Sequence, residues 1–302
     1  MKTPVTLLCF NRPELTQRVF DRIAQAKPPV LLVVADGPRP AVSSDAELCK
    51  QVRAIVSKPQ WDCKLITHFS ETNLGCKNRV SSGISWVFEQ VERSIFLEDD
   101  CLPDPSFFPY CEELLERYKD DERVMNISGN HLISDPDPLD PYSYSFSRYS
   151  FIWGWASWRR AWQHYDIEMK LWPEVKSRRL LQAIFPNPQD HEYFLEQFQA
   201  VYDGKINTWD YQWLLSCLIQ NGLTILPRKN LISNIGFGAG ATHTPDSVDS
   251  RLVNQPTYPM EFPLKHPSYI FRSIEQDHEK QKAIFRFAIK SLLKRKVMKA
   301  WA

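Results

Sequence analysis

The sequence predicts an α/β protein built on a mostly parallel central sheet with helices on both faces. Short runs at residues 5–10, 30–35, 64–69 and 94–97, mainly apolar except for the third, which mixes Lys64, Thr67 and His68 with apolar residues, have the length of strands. Each of the first three is followed by a longer stretch with helical spacing, and strands alternating with helices imply parallel pairing. Polar and acidic residues stand just past the strands, at the sheet edge where open α/β folds bind ligands.

The elements follow in order. After the first strand, Pro13 is placed to open a helix that runs to about residue 26, where Pro28-Pro29 breaks it. The second strand ends at Asp36-Gly37-Pro38, a turn signal with a carboxylate at its tip. Ser44 is expected to cap the next helix, towards residue 57. The third strand leads through a loop at 70–75 into a helix ending near 92, and the fourth strand ends in Glu98-Asp99-Asp100. Asp104 and Pro105 are expected as N-cap and first position of a helix to about 118. Residues 124–128 read as another strand, and the Asp/Pro run at 134–141 as a loop. Helical patterns follow at 174–184, 189–203 and 209–220, and a last strand at 223–226. Residues 271–302 are expected to form a separate basic amphipathic helix.

Composition narrows the function classes. The 302 residues carry a net charge of +1, so no overall field attracts nucleic acid, and anion recognition has to be local. The seven cysteines contain no C-x-x-C pair and several lie in apolar runs, which suggests reduced thiols. The apolar run at 5–10 is too short for a signal h-region or a membrane span, so a cytoplasmic location is expected.

Three consecutive carboxylates after an apolar strand are costly unless something positive neutralises them. Mg²⁺ or Mn²⁺ takes carboxylate oxygens, keeps waters and shares substrate phosphates, so a cation bound there can hold a diphosphate. The alternative is a solvated acidic turn. Arg12, Asp36, the loop after Glu71 and the acidic triplet would lie along one sheet edge.

The segment Phe96-Leu97-Glu98-Asp99-Asp100-Cys101-Leu102-Pro103-Asp104-Pro105-Ser106-Phe107-Phe108 resembles the E-D-D-L…P-D-F-F segment of N-acetylglucosaminyltransferase I and related GT-A glycosyltransferases. Further matches run in the same order over about residues 4–245. Residues 5–12 resemble the first strand and its Asn-Arg tip, Asp36-Gly37 the strand-two acid, Gly154-Trp155 the G-W segment and Trp209-Asp210-Tyr211-Gln212-Trp213 the W-D-D-W segment. The chain is also similar to bacterial sugar-nucleotide transferases that go under the label haemolytic-protein-like, although no feature here points to haemolysis.

The resemblance implies a GT-A domain over 1–270, with a nucleotide-sugar part at 1–130 and an acceptor part at 131–270. It implies a metal-dependent, inverting transfer from a nucleotide diphosphate sugar, a UDP-sugar first, to a glycan or lipid-linked hydroxyl. Asp100 would be the direct metal ligand, Asp99 would contact the ribose and Glu98 the transferred sugar. Arg12 and Asp36 would hold the nucleotide, Asp36 through the uracil edge, with Lys77 or Arg79 near the base or phosphates. Asp210 would be the general base, against a reading as a helix N-terminal acid placed against the macrodipole. The relatives carry a second Asp where this chain has Tyr211, and Asp166, Glu174 and Asp190 are rival bases.

His243 closes a glycine-rich loop beginning at Gly236, where it can ligate the metal, contact the diphosphate or be an ordinary surface residue. The spacing of Trp155, Trp158 and Trp162 is helical, so Trp158 and Trp162 are expected in packing and Trp153 or Trp155 nearer the cleft as an acceptor wall. The basic terminal helix either packs on its own domain or makes peripheral contact with the inner membrane face. Two other functions compete: a sugar-phosphate nucleotidyltransferase, and a non-catalytic carbohydrate- or membrane-binding protein on the same fold. The turn Asn11-Arg12-Pro13-Glu14 lacks the glycine-rich phosphate loop that nucleotidyltransferases usually carry after strand one.

Overall fold

A computed structural model describes residues 1–131, 141–236, 254–279 and 281–282. Its sheet runs β3-β2-β1-β4-β8-β6-β9-β7. The half that carries the site consists of β1 (Val5–Cys9), β2 (Val30–Ala35), β3 (Lys64–Phe69) and β4 (Arg93–Glu98), all parallel. The other half is β6 (Val124–Ser128), β7 (Tyr144–Ser147), β8 (Trp155–Trp158) and β9 (Leu223–Pro227). Here β8 is antiparallel to both β4 and β6, and β7 antiparallel to β9, while β6 and β9 keep the common direction. The expected mixed α/β architecture with a mostly parallel sheet is therefore what the chain forms.

The strand sequences explain why both faces are covered. Side chains alternate across a strand, so a run apolar at every position must be buried twice. Leu7, Leu31, Val33, Ile95 and Leu97 pack into one core with Val19, Phe20 and Ile23 of α1 (Pro13–Ala26) and Val52 and Val56 of α2 (Asp45–Val56). Leu8, Leu32, Val34 and Phe96 face the opposite way, onto Ile84, Val87 and Phe88 of α3 (Gly75–Gln90). Fully burying each such side chain contributes about 1.5–3 kcal/mol. The 16-19-20-23 spacing of buried residues in α1 is one helix face, and Pro13 opens that helix as expected.

Two short strands absent from the sequence reading complete the site edge. Directly after the acidic triplet, β5 (Cys101–Pro103) pairs antiparallel with β10 (Ile232–Asn234). The helix after it, α4 (Phe107–Arg117), starts later than expected. Asp104 instead accepts from the Ser106 backbone N–H at 2.9 Å and its hydroxyl at 2.6 Å, forming a turn before the helix. Ser44 precedes α2, but its side chain makes no cap hydrogen bond.

The tryptophan spacing also misled. Trp155 and Trp158 are the ends of strand β8, and only a short turn of helix, α5 (Arg159–Trp162), follows. Trp155 is buried, its ring stacked on Phe96 at 4.7 Å, rather than turned to the cleft. Trp158 and Trp162 are core, as expected. The pattern at 174–184 divides into α6 (Trp172–Ser177) and α7 (Leu181–Ile184), separated by Arg179 with φ 55°. With α8 (Pro188–Tyr202) and α9 (Asp210–Ile219) they enclose a third core around Trp172, Phe194 and Phe198.

Of the expected terminal helix, residues 274–279 are helical and the segment is tied to β7. Buried Asp277 accepts from Ser147 Oγ at 2.5 Å and pairs with Arg272 at 3.3 Å. The basic stretch beyond residue 282, together with 132–140 and 237–253, lies outside the described residues. No described helix is long and apolar enough to cross a membrane.

Candidate active site at the sheet edge

Parallel strands place their carboxyl ends side by side. The β1–β4 register pairs Leu8 with Glu98 and the β1–β2 register pairs Cys9 with Ala35, so the residues after each strand meet at one edge. A cavity of about 300 Å³ opens there, lined among others by Phe10, Arg12, Asp36, Glu98, Asp99, Asp100 and Asp210.

Arg12 sits between two acids. Its Nη2 donates to Asp99 Oδ1 and its Nη1 lies 3.0 Å from Asp100 Oδ2. Asp99, 3% exposed, also accepts from the Phe10 backbone N–H at 3.3 Å, which fixes the β1 tip to the acidic turn. Asp100 keeps access to the cavity, with Cys101 Sγ donating to its Oδ1 at 3.5 Å. Above it, a side chain at Gly236 would place Cβ 2.2 Å from Asp100 Oδ2, so only glycine lets the chain leaving β10 pass this close.

One guanidinium faces an excess of carboxylates. Glu98 is pushed up to about 8, first by burial and then by Asp100 and Asp99, with Arg12 pulling the other way. Burial also raises Asp99, against the lowering effect of Arg12. Burial draws Arg12 downward, but Asp99 and Asp100 outweigh it and hold the guanidinium above its ordinary range. The same field reaches Cys76, whose thiol is pushed up to about 12 by burial, then Glu98 and Asp210. Among the described residues no side chain hydrogen-bonds the Glu98 carboxyl.

These features bear on a cation. Among the described residues no group of three His, Cys, Asp or Glu side chains is placed to hold a metal ion alone. The donor chemistry nevertheless fits Mg²⁺ or Mn²⁺, which need only one or two carboxylates when a substrate supplies phosphate oxygens. A divalent ion would offset the carboxylate charge of Asp100 and Asp99 that, after burial, raises Glu98. His243 lies outside the described residues.

The remaining predicted residues separate. Asp210, the first residue of α9, lines the cavity and receives a hydrogen bond from Thr208 Oγ1. It thus occupies a helix N-terminus and the cleft at once. The rivals do not reach the cavity. Asp166 closes its own turn onto the Glu168 and Lys170 N–H groups, Glu174 pairs with Arg178 on the surface, and Asp190 is buried in the first turn of α8. Trp153 lines the cavity, as expected for one of the two candidates.

Three placements bear on the sequence reading. Lys77 does not line the cavity, because α3 presents Cys76, Arg79 and Val80, a three- and four-residue spacing that turns position 77 aside. Arg79 is 5% exposed and donates from Nε to Ala35 O at 3.1 Å and from Nη2 to His68 O, so it joins β2, β3 and α3. Asp36 accepts from Gly37 N at 2.8 Å and Leu74 N at 2.9 Å on one oxygen, and from Gly75 N at 3.0 Å and Asn73 Nδ2 at 3.1 Å on the other. These contacts fill the lone-pair sites of a carboxylate, leaving none for a uracil edge. Phe10, Arg39, Asn73, Thr208 and Asn234 also line the cavity and went unread. Of these, Asn73 and Asn234, each two residues before a glycine, and Arg39, between two prolines, carried a local turn signal.

No family model and no curated protein matches the chain. Solved structures give distant matches. The 4-diphosphocytidyl-2C-methyl-D-erythritol synthase of Anaerococcus prevotii DSM 20548 matches at 8% identity and TM-score 0.38, over 74% of this chain and 86% of that one. A UDP-glucose pyrophosphorylase complexed with UDP-glucose matches at 11% identity and TM-score 0.38, over 75% and 90%. The mannosyltransferase PcManGT of Pyrobaculum calidifontis, in complex with GDP-Man and Mn²⁺, matches at 14% identity and TM-score 0.33, over 52% and 45%. At these identities and TM-scores the likeness carries no argument about what this chain binds or does.

Proposed function

We propose that this chain is a metal-dependent, inverting glycosyltransferase that moves a sugar from a nucleotide diphosphate sugar, a UDP-sugar first, to a hydroxyl of a glycan or lipid-linked acceptor. The observation that carries the reading is the convergence on one cavity of Arg12, clasped by Asp99 and Asp100, with Glu98 and Asp210. The ordered sequence resemblance to GT-A transferases gives those positions their roles.

In this reading Asp100 holds Mn²⁺ or Mg²⁺, with His243 as a further candidate ligand, while Asp99 takes a ribose hydroxyl and Glu98 the transferred sugar. Arg12 places positive charge beside the diphosphate. A bound divalent ion would supply a Lewis acid against the charge that develops on the leaving diphosphate. Asp210 accepts the acceptor hydroxyl's proton as its oxygen bonds to the anomeric carbon, and the bond to the diphosphate oxygen breaks on the opposite face. That geometry inverts the anomeric centre. Trp153 offers an aromatic face to the acceptor sugar. Holding both reactants in one cleft supplies much of the acceleration by removing the cost of their encounter.

Calorimetric titration of UDP with and without Mn²⁺ tests the reading, followed by a panel of UDP-sugars assayed for UDP release with saccharide acceptors. Metal-dependent UDP binding and acceptor-dependent release are expected. Absence of nucleotide binding in both conditions would overturn it in favour of a non-catalytic binding protein. Release of pyrophosphate from UTP and a sugar 1-phosphate would favour a nucleotidyltransferase.

A further inference from the structure

The saturation of Asp36 leaves the question of which group reads the nucleobase, and the neighbouring loop supplies an answer. Asn73 donates both amide hydrogens, to Asp36 Oδ2 at 3.1 Å and to Gly37 O at 2.9 Å. Both partners are pure acceptors, which fixes the amide's orientation from the hydrogen-bond network. Its carbonyl oxygen, Oδ1, is then the end left over, and no described residue donates to it. Asn73 lines the cavity alongside Phe10, Arg39 and Gly75.

The surroundings hold this oxygen still. Gly37 lies so close to the loop that an added Cβ would stand 2.5 Å from the Thr72 carbonyl carbon. The Asp36 carboxylate pins the Leu74 and Gly75 N–H groups on the other side of Asn73. Also on the cavity wall, Arg39 covers the Phe10 ring with Cζ 5.4 Å from its centroid. That guanidinium is fixed by two bonds to Asp45, at 2.6 and 3.0 Å, and Asn11 holds Asp45 in turn at 2.8 Å. This part of the cavity wall is thus preorganised, with a lone acceptor presented by a side chain whose donors are spent.

We infer that Asn73 Oδ1 is the base-reading group of this site, and that Asp36 is a positioning residue that holds it there. The inference rests on the donor-site reading above. An amide oxygen accepts from a ring N–H, which uracil carries at N3 and guanine at N1. Cytosine at N3 and adenine at N1 present a lone pair instead, so in the same register two acceptors face each other, and only a shift along the edge would bring the exocyclic amino group of either base to Oδ1. A base held in that register therefore favours uridine or guanosine diphosphates over cytidine or adenosine ones.

The test is calorimetric titration of the full chain with UDP, GDP, CDP and ADP in Mn²⁺, for the wild type and for Asn73→Ala, Asn73→Ser and Asp36→Asn. UDP and CDP share ring size and diphosphate, so their affinity ratio isolates the base edge and does not depend on the fraction of protein that is folded. Wild-type protein is expected to prefer UDP to CDP by about ten-fold or more, the scale of one hydrogen bond against one unpaired acceptor. Both Asn73 variants should bring the ratio close to one. Asp36→Asn should weaken all four nucleotides as the loop loosens and also reduce the UDP to CDP ratio. A UDP to CDP ratio unchanged in both Asn73 variants would overturn the inference while leaving the transferase reading standing. A wild-type preference for CDP or ADP would overturn it too. Failure of every nucleotide to bind would overturn both readings together.

Discussion

Replacing Arg12 by alanine is the perturbation whose consequence the site geometry fixes best. The guanidinium is the cation that Asp99 and Asp100 share, with side-chain exposures of 22%, 4% and 15% in that order. Removing it strands Asp99, whose remaining hydrogen bond is the 3.3 Å one from the Phe10 backbone N–H. Asp100 retains more access to water and tolerates the loss better. Breaking a buried pair from one side costs about 3–5 kcal/mol, and the partial exposure of Arg12 and Asp100 sets the expectation at the lower end, about 3 kcal/mol. The double variant Arg12→Ala with Asp99→Asn removes the stranded charge and should recover about half of that loss or more, because a neutral amide costs less to bury. The assay is urea denaturation at pH 7.5 in EDTA, read by circular dichroism and tryptophan fluorescence. A loss below about 1 kcal/mol in Arg12→Ala, the range of an exposed pair, would refute the reasoning. So would a double variant no more stable than the single one.

The other expectations follow from the same charges. Asp100→Ala should abolish the Mn²⁺ dependence of UDP binding with the melting temperature little changed, and unchanged metal dependence in calorimetry would remove Asp100 from its role. Asp210→Asn should retain UDP affinity while turnover falls by about 10²–10⁴-fold, and undiminished transfer would move the base elsewhere. For Glu98, the folded state holds the proton to about 8 whereas the unfolded chain releases it at 4.5. Stability is therefore favoured below pH 4.5 and lost as pH rises towards 8, by at most about 5 kcal/mol at 1.4 kcal/mol per unit. Glu98→Gln should flatten this part of the metal-free stability curve, and superimposable curves for variant and wild type would contradict the assigned cause.

Much of the fold was legible because its signals are local. The parallel half of the sheet consists of short strand-forming runs with polar or turn residues at their ends, and these bounds set β1, β2, β3 and β4 to within a residue. The acidic triplet was legible as a candidate site because carboxylates rarely end a buried strand without a counter-charge. The error at Trp155 and Trp158 has a physical cause. A spacing of three residues satisfies a helix face, but these rings are placed by ladder bonds between β8 and the distant strands β4 and β6. No local pattern encodes such pairing. The same holds for β5 and β10, three residues each, joined across more than a hundred positions.

What the sequence determined by itself is the kind of edge this protein carries: strands that must be buried on both faces, with Arg12, Asp36 and the acidic triplet at their tips. Which of those polar groups remain available was decided only in three dimensions. Asp36 and Arg79 look the same in the chain as Asp100 and Arg12, yet the first two spend their hydrogen bonds on backbone groups of neighbouring loops and strands. The physical reason is that a side chain's type is local information, whereas the donors and acceptors that saturate it arrive from segments far away along the chain.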